Sequence, residues 1–358
     1  MTDGTTSRFA LSICIPTYNR AAELPFLLDS IAAQIGALEA PWSRDSVEVV
    51  ISDNASTDHI AQVVEHYRSI LPSIVFIQHP QNLGADRNYL AVAEAAGGVF
   101  CWMMGSDDKI EEGALLRVLD ATLQWPEAAG FSVNMVPYDG ALQQRIPQHL
   151  PPFRWTDDRL VRGAETIFRE FGIYYGYLSG QVIRRDLWNS VCATGEQLQY
   201  LNAYVHVLVI GRMLQKAPSW GFVHHACVGW RSGNDSFLGD GWVRRLEIDL
   251  IGYRSVTVAL FGEHSPVVAD IRDQLAARHN YHQFRHAKLR GESRASLARA
   301  SRLLTASLWR SPVYWTKLLP WILAPGWLTH AIYEVYKTRL RPTVRRVKLQ
   351  RERARIGR

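Results

Sequence analysis

No stretch of 18 or more apolar residues occurs in the 358-residue chain, so no spanning helix is expected, since a bilayer core takes about 20 consecutive apolar residues. Cysteine is scarce. Cys14, Cys101, Cys192 and Cys227 lie far apart, form no C-x-x-C pair, and three of them sit inside apolar runs. They read as buried thiols of a reducing compartment. Met1 to Arg8 is polar and lacks the charged and apolar regions of a signal peptide, which points to the cytoplasm. No internal repeat is present, and the one biased segment is a basic tail. No G-x-G-x-x-G follows the first apolar run, which speaks against a Rossmann oxidoreductase. The same place holds Pro-Thr-Tyr-Asn rather than the Gly-rich phosphate loop of a sugar nucleotidyltransferase.

Hydrophobic residues at 47% and charged residues at 21% exclude a disordered or fibrous chain. The net charge of +6 is unevenly placed: Lys337 to Arg358 holds ten Lys or Arg against Glu352 alone, which puts +9 in the tail and leaves −3 on the remaining 336 residues. A nucleic-acid partner is therefore not expected for the body of the protein.

Short apolar runs alternate with helical periodicity up to about residue 136. The runs Leu11–Pro16, Val47–Ser52, Ile74–Gln78, Val99–Met104 and Phe131–Val136 read as strands, and Ala21–Gln34, Asp58–Ile70, Ala85–Ala96 and Glu111–Leu123 as helices. Strands this continuously apolar are covered on both faces. The pattern predicts an α/β fold with a doubly wound, mostly parallel sheet. Pro147 to Asp158 reads as a long connection or lid, Arg162 to Asn234 as a mixed region of two helices and a strand, and the chain from Gly241 as wholly helical. Two domains follow from this, 1–236 and 237–358.

Ligands of such sheets bind beyond the carboxyl ends of the strands, so the residues there carry the functional reading. The first strand ends in Pro16-Thr-Tyr-Asn-Arg20, the second in Asp53-Asn-Ala-Ser-Thr-Asp58 and the fourth in Gly105-Ser-Asp-Asp108. Asp107 and Asp108 suit a hard divalent cation bridging to a diphosphate, because such ions take oxygen ligands and keep substrate phosphate in their shell. The same pair is also open to reading as the cap of the helix beginning near Glu111. Asp53 to Asp58 equally suits an Asx turn before a helix, and Asn82-Leu-Gly-Ala-Asp-Arg-Asn88 a glycine turn.

Taken in order on this strand pattern, Ser12-Ile-Cys-Ile-Pro-Thr-Tyr-Asn-Arg20, Val50-Ile-Ser-Asp-Asn-Ala-Ser-Thr-Asp58, Asn82 to Asn88 and Gly105-Ser-Asp-Asp108 resemble the family 2 glycosyltransferases of GT-A fold, and most of all their abequosyltransferase-type branch, which builds bacterial surface polysaccharide. The resemblance is strong over about residues 10–125 and weak over 160–235. It implies a nucleotide diphosphate sugar donor, with Pro16, Tyr18 and Arg20 framing the base and Asp53 contacting it. It further implies Arg87 near the base or phosphates, Asp107 near the ribose or metal, and Asp108 on Mg²⁺ or Mn²⁺. Where the family has the first acid of Asp-x-Asp, this chain has Gly105, leaving the metal fewer carboxylates.

Inverting transfer needs a carboxylate or comparable base to take the acceptor's proton. The family often supplies it as Glu-Asp in its second half, and no such pair occurs between residues 140 and 235. His206 and Glu196 are the candidates that remain; His206 can act as a base near neutrality and is preferred because the helix from Tyr200 is where the family's acid would sit, although a histidine packed on an apolar helix is the competing reading. His224-His225 suggests a third metal ligand, with at most one of the two usable because neighbours on a strand face opposite ways. Arg231, in the Arg231-Ser-Gly-Asn234 turn, suits a departing diphosphate or a plain surface turn. Trp309 to Tyr336 interleaves Trp309, Trp315, Trp321 and Trp327 with Pro312, Pro320 and Pro325. Such pieces fit a membrane interface, and the basic tail adds attraction to anionic lipid. The expectation is a peripheral enzyme on the inner face of the cytoplasmic membrane, acting on a lipid-linked glycan acceptor. The rival reading is a non-catalytic nucleotide-sugar or membrane-binding module.

Overall fold

The computed structural model describes residues 8–146, 153, 155–234, 241–335 and 338. The basic tail, apart from Thr338, and most of the expected lid at 147–158 lie outside the described residues. The chain divides into two compact units, Met1–Ser236 with Gly252–Ile271, and Phe237–Ile251 with Arg272–Arg358. The helix Tyr253–Phe261 thus belongs to the first unit rather than to the C-terminal part.

The first unit is built on a mixed, mostly parallel sheet. Its strands are β1 (Leu11–Thr17), β2 (Val47–Asp53), β3 (Ile74–Gln78), β4 (Phe100–Met103), β5 (Lys109–Ile110), β6 (Gly130–Tyr138), β7 (Arg159–Arg162), β8 (Gln181–Arg184) and β9 (Ser219–Arg231). They run in the order β3-β2-β1-β4-β8-β6-β9-β5, with β7 also on β9. The block β3-β2-β1-β4 is parallel throughout. Every residue of β1 and β2 is buried, as expected for strands covered by helices on both faces. Those helices are α1 (Leu24–Ile35), α2 (Ile60–Arg68), α3 (Ala85–Glu94) and α4 (Ala114–Gln124). From α1, Leu24, Leu27, Leu28 and Ile31 enter one core with β1 and β2, and from α4 Leu115, Val118 and Leu119 join it.

Beyond β4 the sheet departs from the doubly wound pattern. The later region contributes α5 (Ala164–Phe171), α6 (Arg185–Cys192) and α7 (Val205–Lys216) along with its strands. It inserts β8 antiparallel between β4 and β6 and sends the long β9 parallel along β6. A strand of four residues flanked by helical turns gives no periodicity of its own, so where two helices and one strand are expected over Arg162 to Asn234, three helices, α5 to α7, and two strands, β8 and β9, form.

The second unit is helical. Leu246, Leu250, Phe284, Leu304, Leu308 and Leu318 make its core. Among the described residues no helix is long and apolar enough to cross a membrane.

Candidate active site

The first two motifs latch onto each other at the ends of β1 and β2. Asn19, at φ 51°, takes the Thr57 N–H at 2.8 Å on its side-chain oxygen, and its own N–H donates to Ser56 Oγ at 2.8 Å. Asp58 is shared: Oδ2 accepts from Ala21 N at 2.8 Å and Oδ1 from Ile60 N at 3.3 Å. It therefore receives the first N–H of α2, one residue ahead of the His59 cap position, and also ties down the first loop. Asp53, fully buried, accepts from Ser56 N at 3.0 Å. The third motif joins through Asn54, which donates to Asn82 Oδ1 and accepts from Leu83 N. Asn88 reaches back from α3 to Ser52 Oγ at 2.6 Å. Three turns with separate local explanations thus form one hydrogen-bonded edge.

Pro16 is buried in β1 and Tyr18 is 44% exposed at its end. Arg87 lies exposed on α3, its charge felt by Asp86. No contact joins Arg87 to the aspartate pair among the described residues.

Asp107 and Asp108 do not cap a helix. The two-residue β5 follows them, and α4 begins only at Ala114 after Gly113 at φ 71°. Strand β5 pairs antiparallel with β9 in the register Lys109↔Gly229, which carries the pair alongside Arg231. Arg231 N–H donates to Asp108 Oδ1 at 3.1 Å and its Nε to the Asp107 carbonyl at 2.9 Å. Asn234 Nδ2 donates to Asp107 Oδ2 at 2.9 Å, and Arg20 Nη2 donates to the Asn234 carbonyl at 3.3 Å. The structure therefore gathers Arg20, Asp107, Asp108 and Arg231 from the ends of β1, β4 and β9.

Two further residues complete the cluster, and no spacing in the sequence marks them. Tyr177 Oη and Ser179 Oγ both donate to Asp108 Oδ2, at 2.6 and 2.5 Å. Ser179 is itself held by Gly105 N–H on its hydroxyl and by Trp102 Nε1 on its carbonyl. The one local hint is a Tyr and a Ser within Gly176-Tyr-Leu-Ser-Gly180, just before a strand. Gly105 itself has little room: a Cβ there would stand 3.2 Å from Asp107 Oδ1, Asp108 Oδ2 and Ser179 Oγ. The departure from Asp-x-Asp has a steric counterpart.

Burial and the adjacent Asp107 charge push the Asp108 carboxyl up to about 7, against the donors from Ser179, Tyr177 and Arg231. Burial raises Asp107 as well, opposed by Arg20 and Arg231. Two neighbouring carboxylates held largely out of water resist double ionisation unless a cation joins them. The donor set fits a hard divalent ion, with a refinement. Three donors occupy the two oxygens of Asp108, whereas Asp107 Oδ1 has no side-chain donor among the described residues, so Asp107 is the better-placed ligand and Asp108 the oriented carboxylate beside it. Among the described residues the Arg231 Nη2 group is buried without a hydrogen-bond partner, a guanidinium edge suited to a phosphate oxygen.

The candidate bases are elsewhere. His206, the second residue of α7, is buried between Tyr89 and Tyr204, with ring centroids 5.6 and 6.3 Å away. Burial pulls its imidazole down to about 4 against the Gly176 and Tyr175 backbone, and among the described residues neither ring nitrogen closes a hydrogen bond of normal geometry. Glu196 is engaged by Arg212 Nε and Nη2 at 2.9 and 2.5 Å. Among the described residues neither shares a hydrogen bond with the aspartate cluster. The reason is local: α7 presents an almost wholly buried face, so a polar residue near its start is enclosed.

Residues 12–188 match the family model described as Glycosyl transferase family 2. These residues form a family 2 glycosyltransferase domain. Over 255 residues it is 29% identical to abequosyltransferase RfbV of Salmonella typhimurium, covering 68% of this chain and 73% of that one. A shorter match, 46% identical over 69 residues, links it to validoxylamine A glucosyltransferase of Streptomyces hygroscopicus, with 19% of this chain and 15% of the relative covered. In fold this glycosyltransferase is similar to S. aureus TarS 1-349 in complex with UDP-GlcNAc, at TM-score 0.58 and 15% identity over 84% of this chain and 82% of that one. It is also similar to mannosyltransferase PcManGT of Pyrobaculum calidifontis in complex with GDP-Man and Mn²⁺, at TM-score 0.51 and 14% identity over 93% and 89%.

Proposed function

We propose that this glycosyltransferase moves a sugar, with inversion, from a nucleotide diphosphate donor to a lipid-linked glycan of bacterial surface polysaccharide, in a reaction dependent on Mg²⁺ or Mn²⁺. One observation carries the reading: a half-buried and a buried carboxylate, Asp107 and Asp108, stand at the sheet edge between the guanidinium groups of Arg20 and Arg231. A divalent ion bound there supplies Lewis acidity to the leaving diphosphate. Asp107 provides the open carboxylate oxygen. Tyr177 and Ser179 hold Asp108 in one orientation, and Arg231 offers its unpaired nitrogen to the phosphates as charge builds on them. Tyr18, Pro16 and Asp53 at the ends of β1 and β2 frame the nucleotide base, with Arg20 and Arg87 on its phosphate side. His206 serves packing rather than proton transfer in this reading, since burial that lowers its imidazole to about 4 makes it a weak base and screens it from an incoming hydroxyl. Glu196 is likewise committed to Arg212.

The lipid-borne acceptor is supported by the second unit. Trp309, Trp315, Leu323, Trp327 and Val335 are each more than half exposed, and aromatic and aliphatic groups of this kind suit the headgroup boundary. The proposed placement on the inner face of the cytoplasmic membrane is supported by that apolar surface together with the basic tail.

The test is a thermal-shift screen of UDP-, GDP- and CDP-sugars with and without Mn²⁺, because a ligand of the folded state raises apparent stability by mass action. A donor that stabilises the protein only with the metal, and no longer in Asp107→Ala, is the expected result. Metal-independent stabilisation that survives in that variant overturns the metal assignment. Co-sedimentation with anionic vesicles, expected to fall several-fold in Trp309→Ala/Trp327→Ala, tests the membrane contact.

A further inference from the structure

His224 and His225 stand six or seven residues back along β9 from Arg231, away from the aspartate pair. Alternation along a regular strand would turn them to opposite faces, and the sequence reading allowed one of them at most as a ligand. The ladder slips at this point: Val133 pairs with Val223, but Asn134 pairs with Ala226. The two histidines are thus extra residues in a bulge, which frees them from alternation, and their ring centroids lie 3.9 Å apart. Asp158, just ahead of β7, meets them. Its Oδ1 accepts the His224 N–H at 2.8 Å and lies 2.6 Å from His224 Nδ1. One ligand atom from each of the three falls within 4.8 Å of the others.

We propose that Asp158, His224 and His225 form a second cation site, one for a borderline divalent metal such as Zn²⁺, separate from the nucleotide-sugar site. The donor set decides the class of ion. Two imidazoles and one carboxylate are ligands that Zn²⁺ takes in tetrahedral sites, with water filling the fourth position, whereas Mg²⁺ and Mn²⁺ favour oxygen. Tetrahedral bonds of about 2.0–2.1 Å bring ligand atoms to roughly 3.3 Å of each other. The contraction needed falls on His225, whose side chain is exposed, while His224 Nδ1 and Asp158 Oδ1, now 2.6 Å apart, would give up the proton between them and part to that spacing. A cation there clips the β9 bulge to the segment entering β7, two pieces of chain 66 residues apart. The proposal does not depend on the donor or acceptor assigned above.

The test is calorimetric titration of the chelator-treated full-length protein with Zn²⁺ alone. One equivalent is expected, retained in Asp107→Ala and weakened by roughly tenfold or more in His225→Ala and Asp158→Asn. His225→Cys, which restores a zinc ligand, is expected to recover the affinity, and this separates loss of a ligand from loss of fold. Unchanged affinity in His225→Ala overturns the site, leaving only a His224–Asp158 ion pair. So does failure of the cysteine variant to recover binding, or a Zn²⁺ equivalent lost in Asp107→Ala and kept in His225→Ala.

Discussion

Asp108 and His206 are almost equally enclosed, 5% and 2% exposed, and burial drives each toward its neutral form, Asp108 up to about 7 and His206 down to about 4. What surrounds them differs. Asp108 receives two hydroxyls and a backbone N–H and stands beside a second carboxylate, while His206 meets two tyrosine rings and closes no regular hydrogen bond. Burying a carboxylate costs several kcal/mol unless its oxygens are satisfied. A fold that supplies three donors to one oxygen pair, and then leaves a like charge next to it, has retained a conflict that a bound cation resolves. A neutral imidazole among aromatic rings contains no such conflict. The type of residue points to chemistry at both places, but the arrangement of partners supports it at one.

Removing the carboxylates sharpens that contrast most. Asp107→Ala and Asp108→Ala are each expected to lower the rate of sugar transfer by about 100-fold or more, the scale of losing electrostatic stabilisation of a leaving group. Circular dichroism should be unchanged. Transfer within tenfold of the wild type in Asp107→Ala would mean that the pair does not act in the reaction.

A smaller effect is expected one layer out. Tyr177→Phe and Ser179→Ala each take one donor from Asp108, worth about 1–2 kcal/mol for a bond to a charged group. Both donors pull the Asp108 carboxyl down, so losing either raises it further. If transfer requires the ionised form, the acid limb of kcat/KM moves to higher pH, and activity lost at pH 7 returns near pH 8.5. A rate reduced equally at every pH would assign the two residues a purely structural role.

These two residues also mark the limit of what the sequence discloses. The edge made by Arg20, Asp53, Asp58, Asn82 and Asn88 was legible, because each motif follows an apolar run and parallel strands deliver their ends to one place. Arg231 was legible only as one of two options, since its position depends on β5, a strand of two residues that no periodic signal reveals. Tyr177 and Ser179 meet Asp108 across 69 and 71 residues, and nothing local to either end encodes the pairing. The His224–His225 bulge was misread for a related reason. Strict alternation is the right expectation for an unbroken ladder, and the slip that breaks it belongs to the pairing with β6, not to the sequence of β9.

The smallest expected effect on transfer belongs to His206, where the comparison predicts a change in stability instead. Its folded pKa, about 4, lies below the ordinary value near 6.5 that it regains on unfolding. Between those values the unfolded chain binds the proton and the folded chain does not, so stability is fully present above about pH 6.5 and declines as pH falls toward 4. Across that window the loss is on the order of 2–3 kcal/mol. His206→Phe removes the titrating group while keeping an aromatic ring against Tyr89 and Tyr204. It is expected to flatten the dependence of urea midpoint on pH between 7 and 5 and to leave transfer within about threefold, the range of a tolerated core substitution. The midpoint measurement and the activity assay answer different questions. A variant whose stability stops responding to acid but whose transfer collapses about 100-fold would return His206 to the reaction, with burial then setting its basicity. An unchanged pH response would mean that the ring is hydrated or partnered in solution, and the contrast with Asp108 would lose its basis.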